Sequence, residues 1–550
     1  MQKNDPLITQ GRGWKNSTHL DYSISYIGDV SLKDIIKLLK VLNGTIDNDE
    51  TKVAKLYIDK IKGNFAFIIN NKKMLIAAVD RIKSIPIFIA SQKNTIALGN
   101  HASPLAKDMN LSKLNTEASL SLAMSGYTLG EKTIVEGLSQ LLAGEFFIWK
   151  SQSIIIDRYY NYTPWNINKE KKYSSYKKEL KEITLDIMSS ILKNREEETI
   201  AVPLSGGFDS RLIVSSLFKL KAKNVICYSY GRKNNFEANI AKTISKKLNY
   251  PWYFVPLNNS IQRKNFSSSL YDNYVNYADT LSAFPYVQDL FVVNELLKKD
   301  ILRKNSIVIN GNSGDFITGG HIPTFSSNKK KEKLDNIFDS FITKHCSLWL
   351  NYFRDEEVSI IKNILKYVIN QDLPENHINY PDFSIFEYLE FMNRQTKYVI
   401  PGQRIYEFLD LQWKLPLWDD EYLKFWSKVP YNLKANQKLY SEMLIEENWG
   451  NVWQDLPVNE KNITPRWIIP IRLLTKSIFA IIGKSLWKDI DRKYFSYWME
   501  IIPHFPAIPY NKIILDKRNA RNAVSWHTEL YLNKKGLDGK GKNISNKLVL

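Results

Sequence analysis

Three short apolar runs, each leading into a polar or glycine-rich stretch, organise the middle of this 550-residue chain. They lie near 199–204, 224–230 and 306–310 and are rich in the β-branched and aromatic residues that favour buried strands. After the first run, apolar residues recur at helical spacing (Leu212, Ile213, Leu217, Leu220). Strands that alternate with helices predict a parallel sheet in an α/β fold, and from about 325 onward the pattern is mostly helical.

The first run ends in a loop whose residue types suit a phosphate group. Its sequence is Ser205-Gly206-Gly207-Phe208-Asp209-Ser210. Adjacent glycines let backbone N–H groups approach a ligand, and the helix that follows adds partial positive charge. Asp209 can hold Mg²⁺ against the phosphate, and the two serines offer hydroxyl donors. A plain glycine turn explains the glycines but not Ser, Asp and Ser, and the Gly-Lys-Ser/Thr of a Walker loop is absent. The pattern resembles the pyrophosphate loop of enzymes that cleave ATP between the α and β phosphates.

A second glycine-rich loop follows the third run. It reads Asn310-Gly311-Asn312-Ser313-Gly314-Asp315, with Gly319-Gly320-His321 behind it. Alone, such a loop is as often a turn as a site. Because it follows a second strand of the same predicted sheet, we expect Gly311 to border the nucleotide and Asp315 to provide a second Mg²⁺ ligand.

Further segments resemble the asparagine synthetase family in the family's order along the chain. They are Tyr228-Ser229-Tyr230-Gly231 with the helix after Asn235, the stretch 279–285, Pro416-Leu417-Trp418-Asp419, and Lys438-Leu439-Tyr440. The resemblance implies ATP and Mg²⁺ as cofactors, a carboxylate substrate that is adenylated, and an amine donor. It also implies that Tyr228 lies at the nucleotide and that Lys438 is the catalytic lysine that neutralises charge during carboxylate activation.

The amino-terminal third resembles the family's class II glutaminase domain without its chemistry. Segments 61–67 and 79–88 resemble the body of that domain, and 126–133 with 144–147 resemble the segment that leads out of it. The family begins Met-Cys-Gly, and the exposed cysteine attacks glutamine; here Met1-Gln2 stands in its place, Val79 replaces an arginine and Lys83 replaces a glycine. We therefore expect a degenerate domain that does not hydrolyse glutamine. The amine would then be free ammonia, ammonia from a partner, or an amine of the substrate.

The synthetase half also departs from the family. Asn312 and Phe316 stand where the family carries glutamates, and Gln412-Trp413-Lys414 replaces Glu-x-Arg. These changes make free aspartate a doubtful substrate and leave a small acid, a sugar acid or a peptide side chain, as in lasso-peptide cyclases, β-lactam-forming synthetases and amidating enzymes of surface polysaccharides. The alternative from another class is a non-catalytic scaffold that binds nucleotide.

Composition adds little to this picture. The net charge of +19 comes from lysines interspersed with glutamates on helices, which is typical of solvated faces and predicts no nucleic-acid partner. Two cysteines give no disulfide framework, and the polar start resembles no signal peptide, so we expect a cytoplasmic protein. A homodimer is possible.

The stretch 467–487 is apolar, has tryptophan at both ends, and carries basic residues at near-helical spacing. Its charge-free runs are too short to span a membrane. The pattern favours a helix with one packed face and one basic face, and an interfacial helix in peripheral contact with a membrane is the alternative.

The predicted fold is an N-terminal αββα sandwich of degenerate glutaminase type followed by a parallel-sheet ATP-pyrophosphatase domain, of adenine nucleotide alpha hydrolase type, with a helical C-terminal part. We place the sandwich at 1–165, a lysine-rich connector at 166–176, the synthetase-like domain at 177–533 and a mobile tail at 534–550.

Overall fold

The computed structural model describes residues 2–3, 13–44, 50–150, 153–324, 333–458, 463, 465–544 and 548–550. Across these residues the chain has the predicted mixed α/β fold: two sheets come first, a parallel sheet follows, and the C-terminal part is helical. Met1 lies outside the described residues, and Gln2 is described only by its backbone.

The N-terminal part is built on two facing sheets. An antiparallel sheet of six strands runs in the order Ser153–Arg158, Glu145–Lys150, Met74–Val79, Phe65–Asn70, Tyr22–Gly28 and Lys15–His19. A sheet of four strands runs in the order Gln2–Lys3, Thr95–Gly99, Phe88–Gln92 and Leu138–Gln140. Side chains alternate across each strand, so Ile68 and Ala77 of the first sheet meet Ile89 and Leu98 of the second in one apolar layer.

Helices cover both outer faces of this pair of sheets. Leu32–Asn43 and Glu50–Ile58 pack on the six-stranded sheet, and Ala102–Asp108 and Thr116–Ser125 pack on the four-stranded sheet. The helix Leu32–Asn43 begins where the Ser31 hydroxyl accepts a hydrogen bond from the backbone N–H of Asp34 at 3.2 Å. The αββα sandwich that the sequence predicts is confirmed.

The second part is built on a parallel sheet of five strands. Their order is Trp252–Pro256, Val225–Gly231, Ile200–Pro203, Ile307–Ile309 and Gln412–Lys414. The three predicted strands are confirmed and lie side by side at the centre, where the apolar runs are buried on both faces. The strands Trp252–Pro256 and Gln412–Lys414, on the two edges, were not predicted.

Helices and short helical turns make up most of the rest of the chain. Those up to the second loop are Tyr173–Leu192, Phe208–Lys219, Phe236–Lys247, Asn259–Phe266, Ser269–Ala278, Leu290–Lys298 and Gly314–Ile317. The longer ones beyond it are Lys333–His345, Asp355–Asp372, Asp382–Glu390, the π-helix Phe391–Val399, Arg404–Phe408, Asp420–Trp426, Lys438–Glu447, Ile468–Ile482, Lys484–Ile490, Tyr510–Leu515 and Ala523–Lys534.

The tail predicted to be mobile packs on the protein where the structure describes it. Leu537 is fully buried, and Gly541 lies so close to Ser119 that a Cβ there would be 2.5 Å from the Ser119 carbonyl oxygen. Lys540 forms an ion pair with Glu357 at 2.6 Å. Glycine and lysine content suggested mobility, but the buried leucine fixes the segment on the protein.

The stretch 467–487 also differs from the favoured prediction. It forms the helices Ile468–Ile482 and Lys484–Ile490, but its apolar side chains are mostly exposed rather than packed on the body of the protein. None of the helices in the described part of the chain is long and apolar enough to cross a membrane.

Candidate active site

The first loop leaves the carboxyl end of the central strand Ile200–Pro203 and is held by its own serines. The backbone N–H of Ser205 donates to the Ser210 hydroxyl at 2.9 Å, and the two hydroxyls lie 3.0 Å apart. The N–H of Gly207 donates to the Ser205 hydroxyl at 3.2 Å. The loop runs directly into the helix Phe208–Lys219, so its N–H groups and the helix N-terminus face the same space.

Arg211 holds this loop through hydrogen bonds, a role that no local sequence pattern predicts. Its buried guanidinium donates to the carbonyl of Gly206 at 2.8 Å and to the carbonyls of Val452, Leu456 and Pro457 at 2.7–3.1 Å. Burial lowers the pKa of Arg211 to about 10. Four carbonyl acceptors compensate for the loss of water, and they tie the loop to a segment about 245 residues away in sequence.

The second loop meets the first through Asp209. Its residue Ser313 has a left-handed backbone (φ 66°), which turns the chain into the short helix Gly314–Ile317. The backbone N–H of Asp315 then donates to a carboxylate oxygen of Asp209 at 3.1 Å. Gly314 allows this approach, because a Cβ at that position would lie 2.2 Å from the other oxygen of Asp209.

The two predicted metal ligands differ in their electrostatics. Burial, and then the charge of Asp315, raise the pKa of Asp209 to about 8, against a hydrogen bond that the Tyr440 hydroxyl donates at 3.2 Å. Burial also acts on Asp315, but the bond from His321 at 2.9 Å and the charge of that imidazole outweigh it and lower the pKa of Asp315. His321 contacts Glu390 through its other nitrogen at 2.5 Å.

A divalent cation fits between these carboxylates by its chemistry. A buried carboxyl whose pKa is raised beside a second carboxylate gains a compensating charge when a cation binds both. No group of three or more His, Cys, Asp or Glu suited to a metal occurs among the described residues, and Asp209 and Asp315 are the two carboxylates that could hold one at this site. Mg²⁺ is commonly held in this way, by one or two carboxylates together with phosphate oxygens.

Both loops open onto one cavity of about 330 Å³ at the carboxyl edge of the parallel sheet. This is the edge at which such sheets bind ligands, and the volume is in the range of small-molecule sites. Six of the eight predicted cofactor-binding residues line the cavity: Ser205, Gly207, Asp209, Ser210, Gly311 and Asp315.

The other two predicted residues, Gly206 and Tyr228, do not line the cavity but lie next to residues that do. Gly206 faces the helix Phe236–Lys247, and a Cβ there would lie 3.5 Å from the Cα of Glu237. Tyr228 is fully buried, and its hydroxyl donates to Asp289 at 3.4 Å. The next two residues, Ser229 and Tyr230, line the cavity instead, because they lie closer to the carboxyl end of the strand, where the cavity opens.

Lys438 does not lie at the cavity. It is exposed at the start of the helix Lys438–Glu447, and its ammonium lies 5.9 Å from the ring of Tyr173. Gln437 lines the cavity and donates to the Thr318 hydroxyl at 2.7 Å. The geometry therefore does not support the predicted catalytic role of Lys438: Asn436 and Gln437 both adopt left-handed backbone (φ 54° and 58°), and the lysine side chain points away.

A tyrosine cluster around Asp289 forms a wall that sequence inspection missed. The hydroxyls of Tyr230 and Tyr406 donate to Asp289, that of Tyr406 at 2.9 Å, and Asn310 donates to Tyr406 at 2.7 Å. Burial raises the pKa of Asp289, although the tyrosine hydrogen bonds partly offset it. Residues so far apart in sequence carry no local signal of their contact.

The N-terminal part, residues 1–165, contains neither of the two cysteines of the sequence. Cys227 and Cys346 lie in the synthetase-like part, and burial raises the pKa of each thiol to about 12. Lys83, at the family's glycine position, is buried with a left-handed backbone (φ 51°) and donates to Gln140 at 2.5 Å. Burial lowers its pKa to about 7.

A parallel sheet with two glycine-rich loops at its carboxyl edge, together with an αββα sandwich, defines a two-part α/β protein with a candidate ligand site at that edge. Comparison with protein families agrees with this geometry: a glutamine amidotransferase domain matches residues 51–160, and asparagine synthase matches residues 192–444. Together the two matches support an asparagine synthetase family architecture for this chain. The asparagine synthase match supports an ATP-dependent, amide-forming ligase as the general class.

Solved structures with related chains are distant. The NH3-dependent NAD synthetase from Campylobacter jejuni, in complex with nitrate, is 16% identical over 37% of this chain and 99% of its own, with a TM-score of 0.20. The allosteric regulatory enzyme of purine biosynthesis is 10% identical over 55% and 56%, with a TM-score of 0.18. Glutamine phosphoribosylpyrophosphate amidotransferase from B. subtilis, with ADP and GMP, is 12% identical over 46% and 74%, with a TM-score of 0.17. TM-scores this low add nothing to the family assignment, and no curated protein is similar enough to count as a match.

Proposed function

We propose that this chain is an AMP-forming amide ligase that binds Mg·ATP in the cavity between the two loops and adenylates a carboxylate. The observation that carries the proposal is the meeting of Asp209 and Asp315, from two different strand–loop units, at one cavity. The first loop would bind pyrophosphate oxygens through backbone N–H groups, Ser205 and Ser210, and the two aspartates would hold Mg²⁺.

The charges that line the cavity strengthen the case for a cation. Four carboxyl groups line it, those of Asp209, Glu237, Asp289 and Asp315, and among the described residues neither a lysine nor an arginine does. A polyphosphate in such surroundings requires positive charge from outside the protein. Mg²⁺ would supply that charge and stabilise the phosphate oxygens as pyrophosphate leaves.

The reaction that we propose has two steps. A carboxylate oxygen of the substrate attacks the α phosphorus of ATP, the bond to the bridging oxygen breaks, and pyrophosphate leaves. The nitrogen of an amine then attacks the carbonyl carbon of the acyl adenylate, AMP leaves with the former carboxylate oxygen, and the nitrogen loses a proton. Backbone N–H groups of the first loop and the Phe208–Lys219 helix N-terminus would stabilise the charge of the leaving pyrophosphate.

We further propose that residues 1–165 do not supply ammonia from glutamine. Neither cysteine of the sequence lies in that part, and both are buried with raised pKa values. The amine would be free ammonia, ammonia from a partner, or an amine of the substrate itself, as in a lactam-type cyclase.

A nucleotide-binding scaffold is the second candidate. Phe316, at a family glutamate position, is buried and stacks on Trp418 with ring centroids 5.8 Å apart, so this position serves the core. The exposed position of Lys438 favours the same candidate.

The test is pyrophosphate release from Mg·ATP with aspartate, uronic acids or acidic peptides, in the presence of ammonia or glutamine. We expect release that requires one class of acid and accepts ammonia but not glutamine. Asp209→Asn should abolish it, and Asp108→Asn, which changes an exposed aspartate away from the cavity, should leave it intact. Mg²⁺-dependent ATP binding without release for any acid would favour the scaffold, and release with glutamine would contradict the inactive amidotransferase part.

A further inference from the structure

The helices Ile468–Ile482 and Lys484–Ile490 form a small unit on the surface of the protein. Arg472 donates two hydrogen bonds to Asp491, at 2.6 and 2.8 Å, and fixes the first helix to the chain that follows the second. Ile468, Trp487 and Phe495 make the unit's own small apolar core. The unit is thus held by internal contacts, and one side of the first helix faces away from them.

That side is a continuous apolar face. We define it as Trp467, Ile471, Leu474, Ile478, Ile481 and Ile482, with exposed fractions of 54, 51, 66, 53, 86 and 68%. Steps of four, three, four and three residues align side chains in one stripe along a helix. Folded proteins rarely expose an apolar stripe of this kind unless another surface covers it.

The unit that carries the apolar face is positively charged. The helix Ile468–Ile482 contains no acidic residue, and Lys476, Lys484 and Lys488 are exposed. No carboxylate in the described part of the chain forms an ion pair with any of these three lysines, whereas Arg472 is neutralised by Asp491. At helical spacing Lys476 lies on the side of the helix opposite the apolar face, so the first helix is amphipathic, with one apolar and one basic side.

We propose that this unit binds the surface of an anionic lipid membrane, with the apolar face in the acyl boundary and the three lysines at the headgroups. Fifteen residues of helix span about 22 Å, less than the ~30 Å hydrocarbon core, so the helix lies in the plane of the membrane. A dimer through this face would bring together two units that each carry the three unpaired lysines, and this like charge disfavours it relative to an anionic surface.

The unit connects to the wall of the candidate active site. Trp467 packs against Trp498 with ring centroids 5.8 Å apart, and Trp498 packs on Tyr497 at 4.9 Å. A few residues on, the carbonyl of Ile501 accepts a hydrogen bond from the backbone N–H of Arg232 at 2.8 Å, and Ile502 lines the cavity. Membrane binding would therefore hold the cavity close to the lipid surface, whatever reaction takes place there.

The test is co-sedimentation of the full chain, without ATP, with phosphatidylcholine vesicles that contain or lack phosphatidylserine. We expect binding that requires phosphatidylserine. The double variant Ile478→Asp/Ile481→Asp should weaken binding at least tenfold, and Leu20→Asp, at an exposed leucine in the N-terminal part, should not. Each lysine near an anionic membrane surface contributes roughly fivefold to the binding affinity. The triple variant Lys476→Gln/Lys484→Gln/Lys488→Gln should therefore weaken binding about 100-fold. The matched triple variant Lys72→Gln/Lys73→Gln/Lys223→Gln, at exposed lysines elsewhere on the surface, should not weaken it.

All these variants change exposed side chains, and circular dichroism would establish that they remain folded. The proposal is overturned if the native chain ignores anionic vesicles, or if it binds them equally well with both isoleucines replaced. A dimer in solution that Ile478→Asp/Ile481→Asp dissociates would also overturn it and assign the apolar face to a second copy.

Discussion

Gly314 is the position at which a single methyl group should disable the candidate active site. A Cβ there would lie 2.2 Å from one oxygen of Asp209, 2.3 Å from its carboxyl carbon and 2.7 Å from a methyl carbon of Leu417. Non-bonded carbon and oxygen atoms settle at roughly 3.5 Å, so the Asp209 carboxyl or the whole short helix would have to move by about 1 Å.

The expected loss of Mg·ATP affinity can be calculated from the hydrogen bonds that such a movement breaks. Asp209 accepts hydrogen bonds from the N–H of Asp315 at 3.1 Å and from the Tyr440 hydroxyl at 3.2 Å. Each contributes about 1 kcal/mol, and a displaced metal ligand adds a similar amount. Gly314→Ala should therefore weaken Mg·ATP binding by about 2–3 kcal/mol, or roughly 30- to 150-fold.

Titration of Mg·ATP against the folded chain would measure this loss without knowledge of the acid substrate. The matched control is Gly483→Ala, because a Cβ at Gly483 meets no atom of the described residues within 4 Å. Equal affinities for Gly314→Ala, Gly483→Ala and the native chain would show that Asp209 and Asp315 do not hold the metal in this arrangement.

Two further predictions concern buried charges. Lys434→Met should lower the free energy of unfolding by about 3–5 kcal/mol, measured with urea, because it leaves the Glu387 carboxylate buried without its cation. The double variant Lys434→Met/Glu387→Gln should recover most of that loss. Full additivity of the two changes would contradict the pairing. The pKa of Lys83 is lowered from 10.5 to about 7 in the folded protein, so between these pH values the unfolded chain binds more protons than the folded one. The free energy of unfolding of the native chain, relative to that of Lys83→Met, should therefore rise as the pH is raised from 7 to 10.5. Below pH 7 this difference should level off. Unfolding free energies across this range would measure the slope, which the exposed replacement Lys93→Met should leave unchanged.

The parallel sheet and both loops could be predicted from the sequence because their signals are local. An apolar run of four to six residues followed by glycines marks a buried strand and the turn at its end, whatever the rest of the chain does. The strand Gln412–Lys414 has no such signal, because it is short, polar and on the sheet edge. It forms because Ile307–Ile309 offers unpaired backbone groups beside it.

The position of Lys438 could not be predicted for a different reason. Its direction depends on two consecutive left-handed residues, Asn436 and Gln437, and glutamine rarely adopts that conformation without tertiary contacts. Here Gln437 donates to Thr318, a residue of the second loop, and that contact turns the glutamine toward the cavity and the lysine toward Tyr173. A family motif fixes the order of residues along the chain, whereas the turn is set by a partner about 120 positions away.

The net charge of the whole chain has the opposite sign to the charged side chains that line the candidate active site. The sequence carries +19, yet the cavity is lined by four carboxyl groups and, among the described residues, by neither lysine nor arginine. Burial raises the pKa values of Asp209, Glu237 and Asp289, which opposes the build-up of negative charge at the cavity. A divalent cation would replace the proton on Asp209 and provide the charge that a polyphosphate needs, which couples nucleotide binding to proton release. The surplus lysines lie elsewhere on the surface, and those of the helices Ile468–Ile482 and Lys484–Ile490 would gain counter-charge if an anionic surface met the unit.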